Sequence, residues 1–219
     1  MRKALTVLLV GLGALALAGG AAAENTLQVL PEAAMNGTNF GLKVMIDQGS
    51  LDEAYVQSDH PQSESHFRVS FWVDPTHLNL PVSGSNKKFV FMKFYRDAPS
   101  PQQHCFFYIS RNNSDTAWRI AFMARKDSEA FREIGTVYLA GNTSPDPQFI
   151  EIEYQQASAP GANDGIARLW RNGVQKMNVT NLQNATWNVD MVRVGLPPGN
   201  KLGPLASGFF YFDEYVSTR

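Results

Sequence analysis

Two carboxylates on one predicted strand, Glu151 and Glu153, have a spacing that suits catalysis. Strand side chains alternate between faces, so these two residues project from the same face, roughly 7 Å apart. A carboxylate pair at this separation suits inverting glycoside hydrolysis, in which one group acts as the acid and the other as the base. The alternative is a solvated strand face, because glutamate is most often exposed.

Aromatic side chains on the polar sides of other strands indicate sugar binding. Trp72 shares its predicted strand face with Arg68, and Trp170 shares its face with Arg168. Exposed rings with hydrogen-bonding neighbours bind the apolar faces of sugars. The alternative is that a loop or the second layer of the fold covers both tryptophans, since tryptophan is highly buried on average. The predicted ligand surface consists of Arg68, Trp72, Arg168 and Trp170, with Tyr95, Tyr108 and Tyr211 as weaker members.

Signatures of other chemistries are absent from the sequence. It contains no nucleophile elbow, HExxH, phosphate-binding loop or dinucleotide-binding motif. The histidines lack metal-ligand spacing; they are His60, His66, His77 and His104. Cys105 is the only cysteine, so no intramolecular disulfide can form. Its apolar neighbours indicate a small buried side chain rather than a nucleophile.

The overall composition fits one globular domain. The chain has 219 residues, of which 18% are charged, and a formal net charge of -1. This length supports a sizeable core. The near-zero charge argues against nucleic acid as a partner. No basic run suggests attachment to an anionic membrane surface.

The N-terminus predicts export. Met1-Arg2-Lys3 is followed by an uncharged apolar run and by small residues that end at Ala23. This order is typical of a cleaved signal peptide over residues 1–23, which predicts a secreted or periplasmic protein. The alternative is a membrane anchor, but the run is shorter than the ~20 residues of a spanning helix. No later segment is long and apolar enough to span a membrane, so no membrane-spanning helix is expected in the mature chain.

The rest of the sequence predicts strands separated by turns. Apolar-rich runs recur every ten to fifteen residues between Gly, Pro, Asn and Asp, which favours an antiparallel all-β sandwich. Asn172-Gly173 predicts a tight hairpin, because a type I′ turn needs positive φ at both positions. We expect no strand in residues 24–36, a short lead-in. The predicted strands are 41–47, 66–74, 88–96, 104–110, 117–125, 134–139, 148–156, 165–171, 174–180, 191–195 and 208–217.

Three runs of the sequence resemble secreted concanavalin A-like domains of the laminin-G-like jelly-roll type. Residues 41–75 resemble the opening strands, residues 157–176 the central hairpin and residues 208–219 the closing strand with its YFD motif. The resemblance implies a two-sheet antiparallel jelly-roll β-sandwich, one domain over residues 37–219. One sheet would be concave, with ligands on that face or its rim loops.

The resemblance also bears on metal binding and catalysis. Many relatives hold one structural Ca²⁺ through an Asp on the closing strand, which implies Asp213, with Asn39 or Asp47 from the N-terminal side; oxygen ligands suit Ca²⁺. Laminarinase-type relatives carry a Glu-x-Asp-x-x-Glu strand. Here Gln156 stands where the final acid would be, which argues against that catalytic arrangement.

These observations favour a secreted, non-catalytic module that binds a polysaccharide or another glycan. One alternative is an enzyme that acts on an extracellular polysaccharide, either a glycoside hydrolase or a polysaccharide lyase, using Glu151 and Glu153. A second alternative is a structural or adhesion protein that binds a cell-surface protein.

Overall fold

Strands dominate the computed structural model, which describes residues 24–50, 52–81, 88–97, 99–111, 117–128, 130–139, 146–200 and 206–218. A single 3-10 turn lies at Pro31–Ala33. The predicted signal peptide falls outside the described residues and stays a prediction. Among the helices of the described part, none is long and apolar enough to cross a membrane. The strands are β1 Thr26–Leu30, β2 Gly41–Ile46, β3 Ala54–Glu64, β4 His66–Asp74, β5 Leu78–Asn79, β6 Lys88–Arg96, β7 Gln102–Arg111, β8 Trp118–Arg125, β9 Phe131–Tyr138, β10 Gln148–Gln155, β11 Gly165–Arg171, β12 Val174–Leu182, β13 Val189–Leu196 and β14 Ser207–Thr218.

The strands form two antiparallel sheets. Sheet A has the order β1-β2-β14-β4-β10-β11-β12, with β5 paired to β14. Sheet B has the order β3-β13-β6-β7-β8-β9. Neighbours in each sheet are often distant in the sequence, as in the pairing of β14 with β2 and β4. The predicted all-β sandwich is therefore confirmed.

The core lies between the two sheets. In β4, apolar and polar residues alternate, and Phe67 and Phe71 have no exposed surface. The two layers meet through aromatic rings: Phe67 contacts Phe94 of sheet B with 5.2 Å between ring centroids, and Phe71 contacts Phe91 at 6.1 Å. Edge-to-face packing of this kind stabilises a core beyond the burial of apolar area.

The β11–β12 hairpin has the predicted turn. Asn172 has φ of 50° and Gly173 has φ of 74°, which is the pairing that a type I′ turn requires. The register then shifts between Leu169 and Trp170. A bulge of this kind moves later residues of one strand to the opposite face.

Two residues of the hairpin differ from strict alternation around the turn. Alternation places Met177 on the face of Trp170, but the shift pairs Met177 with Leu169, and Met177 is buried in the core. Alternation places Val174 on the core face with Leu169, but Val174 pairs with Arg171 next to the turn and is 54% exposed.

Three strands were not predicted from alternation: the edge strands β1 and β3, and the two-residue β5. β1 lies within the expected lead-in and pairs along its length with β2. β3 is polar in sequence, and it pairs with β13 at the edge of sheet B. Both are edge strands, which bury too little apolar surface to show a clear period.

Candidate functional site

The outer face of sheet A carries the predicted carboxylates. Glu151 pairs with Ser70 and Trp170 across the neighbouring strands. Glu153 is 8% exposed; Arg168 donates to it at 3.0 Å and His66 Nε2 at 2.8 Å. Burial opposes ionisation of Glu153, but these two hydrogen bonds hold its pKa below the usual value. Glu153 is therefore an ionised partner of Arg168, which does not suit a general acid at neutral pH.

The predicted tryptophans lie on this same face and are half-buried. The Arg68 guanidinium lies over the Trp170 ring, 5.3 Å from its centroid. Trp72 packs against Phe149 with 5.5 Å between centroids. The fold thus brings Arg68, Trp72, Arg168 and Trp170 onto one face, although their contacts are mostly with each other and their neighbours. Their binding of a ligand stays a prediction.

Two of the three predicted tyrosines lie elsewhere, whereas Tyr211 is in β14 of sheet A. Tyr95 is in β6 and Tyr108 in β7, both in sheet B. Placing them on the surface of Trp72 and Trp170 was wrong, because the sequence does not reveal which strands share a sheet. Tyr108 lies under Lys88, whose Nζ is 4.8 Å from the ring centroid. Tyr95 contacts Arg193 of β13 at 4.8 Å.

Asp213, the predicted calcium ligand, holds the loop that precedes β2. Its Oδ2 accepts hydrogen bonds from the Met35 N–H, at 2.6 Å, and from the Thr38 hydroxyl. Its Oδ1 accepts from the Glu214 N–H at 2.8 Å. Asn39 is exposed next to this loop. In the described residues, no group of three or more His, Cys, Asp or Glu is arranged to hold a metal ion. The contacts of Asp213 do not form a calcium ligand set, and calcium binding stays a prediction.

Replacing Asp213 with alanine should destabilise the protein. The change removes the acceptor of Met35 and Thr38, and leaving partly buried donors unpaired costs about 2 kcal/mol of unfolding free energy. Urea unfolding of the wild type and Asp213→Ala measures this loss, and Asp213→Asn, which keeps one acceptor, should lose less. The same unfolding curves, measured with Ca²⁺ and with a chelator, test whether the protein binds calcium. A higher unfolding free energy of the wild type in Ca²⁺ would contradict a role of Asp213 in hydrogen bonding alone.

A row of paired residues crosses the outer face of sheet B, and its members on β3, β13 and β6 are polar. Directly paired residues of neighbouring strands share a face, and Arg193 of β13 pairs with Gln57 on one side and Lys93 on the other. The row continues through Phe106 and Met123. Arg193 Nε donates to Gln57 Oε1 at 2.9 Å, and its guanidinium lies 4.8 Å from the Tyr55 and Tyr95 ring centroids.

Lys93 is the least expected member of this row, because it is only 4% exposed. Its Nζ donates to the Pro198 carbonyl in the turn after β13. Burial lowers the pKa of Lys93 to about 8; the carboxylate of Glu53 opposes this shift and the charge of Arg193 adds to it. About one-tenth of the lysine is therefore neutral at pH 7. A neutral amine can accept a proton, which an ordinary surface lysine rarely does at this pH.

The pKa of Tyr95 is shifted in the opposite direction to that of Lys93. It is 6% exposed, and burial raises its pKa, although Arg193 opposes the shift. Its hydroxyl therefore stays protonated and can donate a proton. Two neighbouring titratable groups whose pKa values are shifted apart are candidates for the base and the acid of a catalytic site.

A groove of about 690 Å³ opens on this face. We call it the sheet B groove; its lining includes Gln57, Asp59, Asp97, Asp190, Met191 and Arg193. Met191 pairs with Tyr95, and Arg193 pairs with Lys93, so the two titratable residues lie beside the groove.

Sequence reasoning missed Lys93 and Arg193. Each is a cation inside an apolar strand, in the runs KFVFMKFYR and VDMVRVGL. A charge in such a run was the available signal, since buried charges need a partner or a function. Register shifts in β6, between Val90 and Met92 and between Phe94 and Tyr95, obscure the alternation there.

Comparisons with known proteins relate this chain to solved structures with a similar fold. No family model and no curated protein matches the sequence. Among solved structures, an endo-β-1,4-glucuronan lyase from the fungus Trichoderma reesei has a TM-score of 0.58 and 14% identity, over 92% of this chain and 91% of that one. An alginate lyase from Pseudomonas aeruginosa has a TM-score of 0.53 and 10% identity, over 82% of each chain.

A third match is a variant of the alginate lyase Aly36B, in which a lysine and a tyrosine are replaced by alanine, in complex with an alginate tetrasaccharide. Its TM-score is 0.52 and its identity 12%, over 82% of this chain and 80% of that one. The chain has the jelly-roll fold. This agrees with the concanavalin A-like resemblance at the level of the fold; the laminin-G-like type is not shown.

These jelly-roll structures overturn our leading hypothesis. We predicted a non-catalytic binding module, but several solved structures that share the fold over most of both chains are polysaccharide lyases. The alternative of a catalytic protein is better supported.

Proposed function

We propose that this protein is a polysaccharide lyase that cleaves a uronate-containing polysaccharide at the sheet B groove. The observation that carries the proposal is the juxtaposition of Lys93, Tyr95 and Arg193 on one face of sheet B. The fold shared with glucuronan and alginate lyases supports it.

Elimination from a uronate needs three groups. A base removes the proton at C5, next to the carboxylate, and the electron pair forms the C4–C5 double bond. The bond from C4 to the glycosidic oxygen breaks, and that oxygen takes a proton from an acid. A cation beside the carboxylate stabilises the negative charge that develops on it.

The three side chains suit these three roles. Arg193 presents a planar guanidinium, which binds a carboxylate through paired hydrogen bonds. Lys93, with its pKa of about 8, acts as the base at C5. Tyr95, with its raised pKa, protonates the leaving oxygen. In the Aly36B variant in complex with alginate tetrasaccharide, one lysine and one tyrosine are replaced by alanine. The choice of these two residue types is consistent with a lysine and a tyrosine in the roles proposed here.

The glycosidase alternative has weaker support. Its acid would have to come from Glu151 or Glu153, and Glu153 is bound by Arg168 and His66 with a lowered pKa. The predicted signal peptide fits a secreted or periplasmic lyase whose partner is an extracellular polysaccharide.

The test measures the product that only elimination forms. Purified protein, incubated with alginate, polyglucuronate or a polymer of alternating glucuronate and N-acetylglucosamine, should generate the ultraviolet absorbance of an unsaturated uronate. The Glu151→Gln variant should keep this activity. New reducing ends without absorbance would indicate hydrolysis, and no cleavage of any uronate polymer would contradict the proposal.

A further inference from the structure

The charge of the side chains along the sheet B groove changes from positive to negative in the direction of the strands. At the level of Arg193, the paired residues are Gln57 and Lys93, so this row is cationic. Two residues back along β13, Met191 pairs with Asp59. Rows separated by two strand residues are roughly 7 Å apart. The groove therefore passes from a cationic row to an acidic side within about the length of one sugar.

Two more carboxylates extend the acidic side. Asp190 Oδ2 accepts from the Asp97 N–H at 2.7 Å, and its Oδ1 accepts from the Asn188 amide at 2.6 Å. Burial opposes ionisation of Asp190, but these bonds hold its pKa below the usual value, so it is charged at neutral pH. Asp59 and Asp97 are exposed. Within the described lining of the groove, three aspartates face a single arginine.

This arrangement suits one carboxylate on the substrate but not two in succession. A uronate bound at Arg193 is attracted, whereas a uronate on the next sugar would lie among Asp59, Asp97 and Asp190. Like charges at such separations repel by an amount that corresponds to about tenfold in rate or binding. A hydroxyl or an amine on that sugar is instead a hydrogen-bond donor to the carboxylates.

Resting on the proposed lyase function, we propose that the substrate is a polysaccharide in which uronates alternate with neutral or amino sugars. Asp59, Asp97 and Asp190 are the specificity residues, because they exclude a second uronate beside the reacting one. Homopolymers of uronates are poor substrates for the same reason.

The experiment compares elimination rates on two kinds of polymer. The wild type should show a kcat/KM for alternating glucuronate and N-acetylglucosamine at least about tenfold above that for polyglucuronate. The double variant Asp59→Asn with Asp97→Asn removes two charges without changing side-chain size, and should raise the rate on polyglucuronate, so that the ratio of the two rates falls. Added salt should reduce the wild-type preference, because it screens exposed charges.

Asp146→Asn is the matched control, since Asp146 is exposed just before β10 of sheet A; it should not change the preference. Equal wild-type rates on both polymers, or an unchanged ratio in the double variant, would overturn the inference while leaving the lyase proposal standing. Absence of unsaturated product from every polymer would instead refute the lyase function itself.

Discussion

Lys93→Met should lower kcat by about 10³-fold, because a positioned general base contributes 10²–10⁴-fold to a proton abstraction. Methionine keeps the length and burial of the side chain but cannot accept a proton. In the wild type, only the neutral amine is active, and burial lowers its pKa to about 8. The wild-type rate should therefore rise about tenfold per pH unit below pH 8 and level off above it.

The stability of the same variant separates catalysis from folding. The lowered pKa of Lys93 means that the folded state disfavours the charged form of this side chain. Between pH 8 and the ordinary lysine pKa of 10.5, the folded state therefore binds fewer protons than the unfolded state. Stability from this group thus rises with pH across that window. Lys93→Met removes the buried charge and should not lower the melting temperature at pH 7, although it loses the Pro198 contact.

Lys176→Met is the matched control for this variant, because Lys176 is exposed on β12 of sheet A. It should keep both the rate and the pH profile. A Lys93→Met protein that retains full activity, or a wild-type rate that does not depend on pH below 8, would refute the role of Lys93 as the base.

Arg193→Ala should lower kcat/KM by about 10²-fold, through loss of the charge that stabilises the developing anion. Arg193→Lys should recover part of the loss, because lysine supplies a charge without the planar fork that binds a carboxylate. The expected loss lies in kcat as well as KM, since the negative charge increases in the transition state. Steady-state kinetics on a cleaved uronate polymer measure both.

Arg68→Ala provides the matched comparison on the other face. Both arginines lie over aromatic rings, Arg68 over Trp170 in sheet A and Arg193 over Tyr95 in sheet B. If the sheet B groove is the active site, only the Arg193 variants lose activity. Loss of activity in Arg68→Ala with retention in Arg193→Ala would move the site to the surface that was predicted from Trp72 and Trp170.

The candidate site depends on register shifts that local alternation does not reveal. Tyr95 was recognised as a candidate, but it was assigned to the surface of Trp170. Lys93 and Arg193 were not selected, although each is a cation within an apolar run. Their significance appears only when β6 and β13 pair, because neither strand alone shows that the two cations lie side by side on one face of sheet B.

The hairpin at Asn172-Gly173 shows the same division on a small scale. Its turn follows from the two residues themselves, since positive φ at both positions is a local property. Which residues lie on each face of the hairpin is not a local property, because the bulge beside Leu169 moves Met177 into the core.

Features that depend on neighbouring residues could be predicted from the sequence: the strand alternation in β4, the type I′ turn and the all-β class. Which strands share a sheet, and therefore that Lys93, Tyr95 and Arg193 lie together, became visible only in the folded protein. Pairing between strands distant in sequence depends on burial and register across the whole sandwich, which no local pattern encodes. The lowered pKa of Lys93 has the same origin, since it results from burial that assembly of the sheet creates.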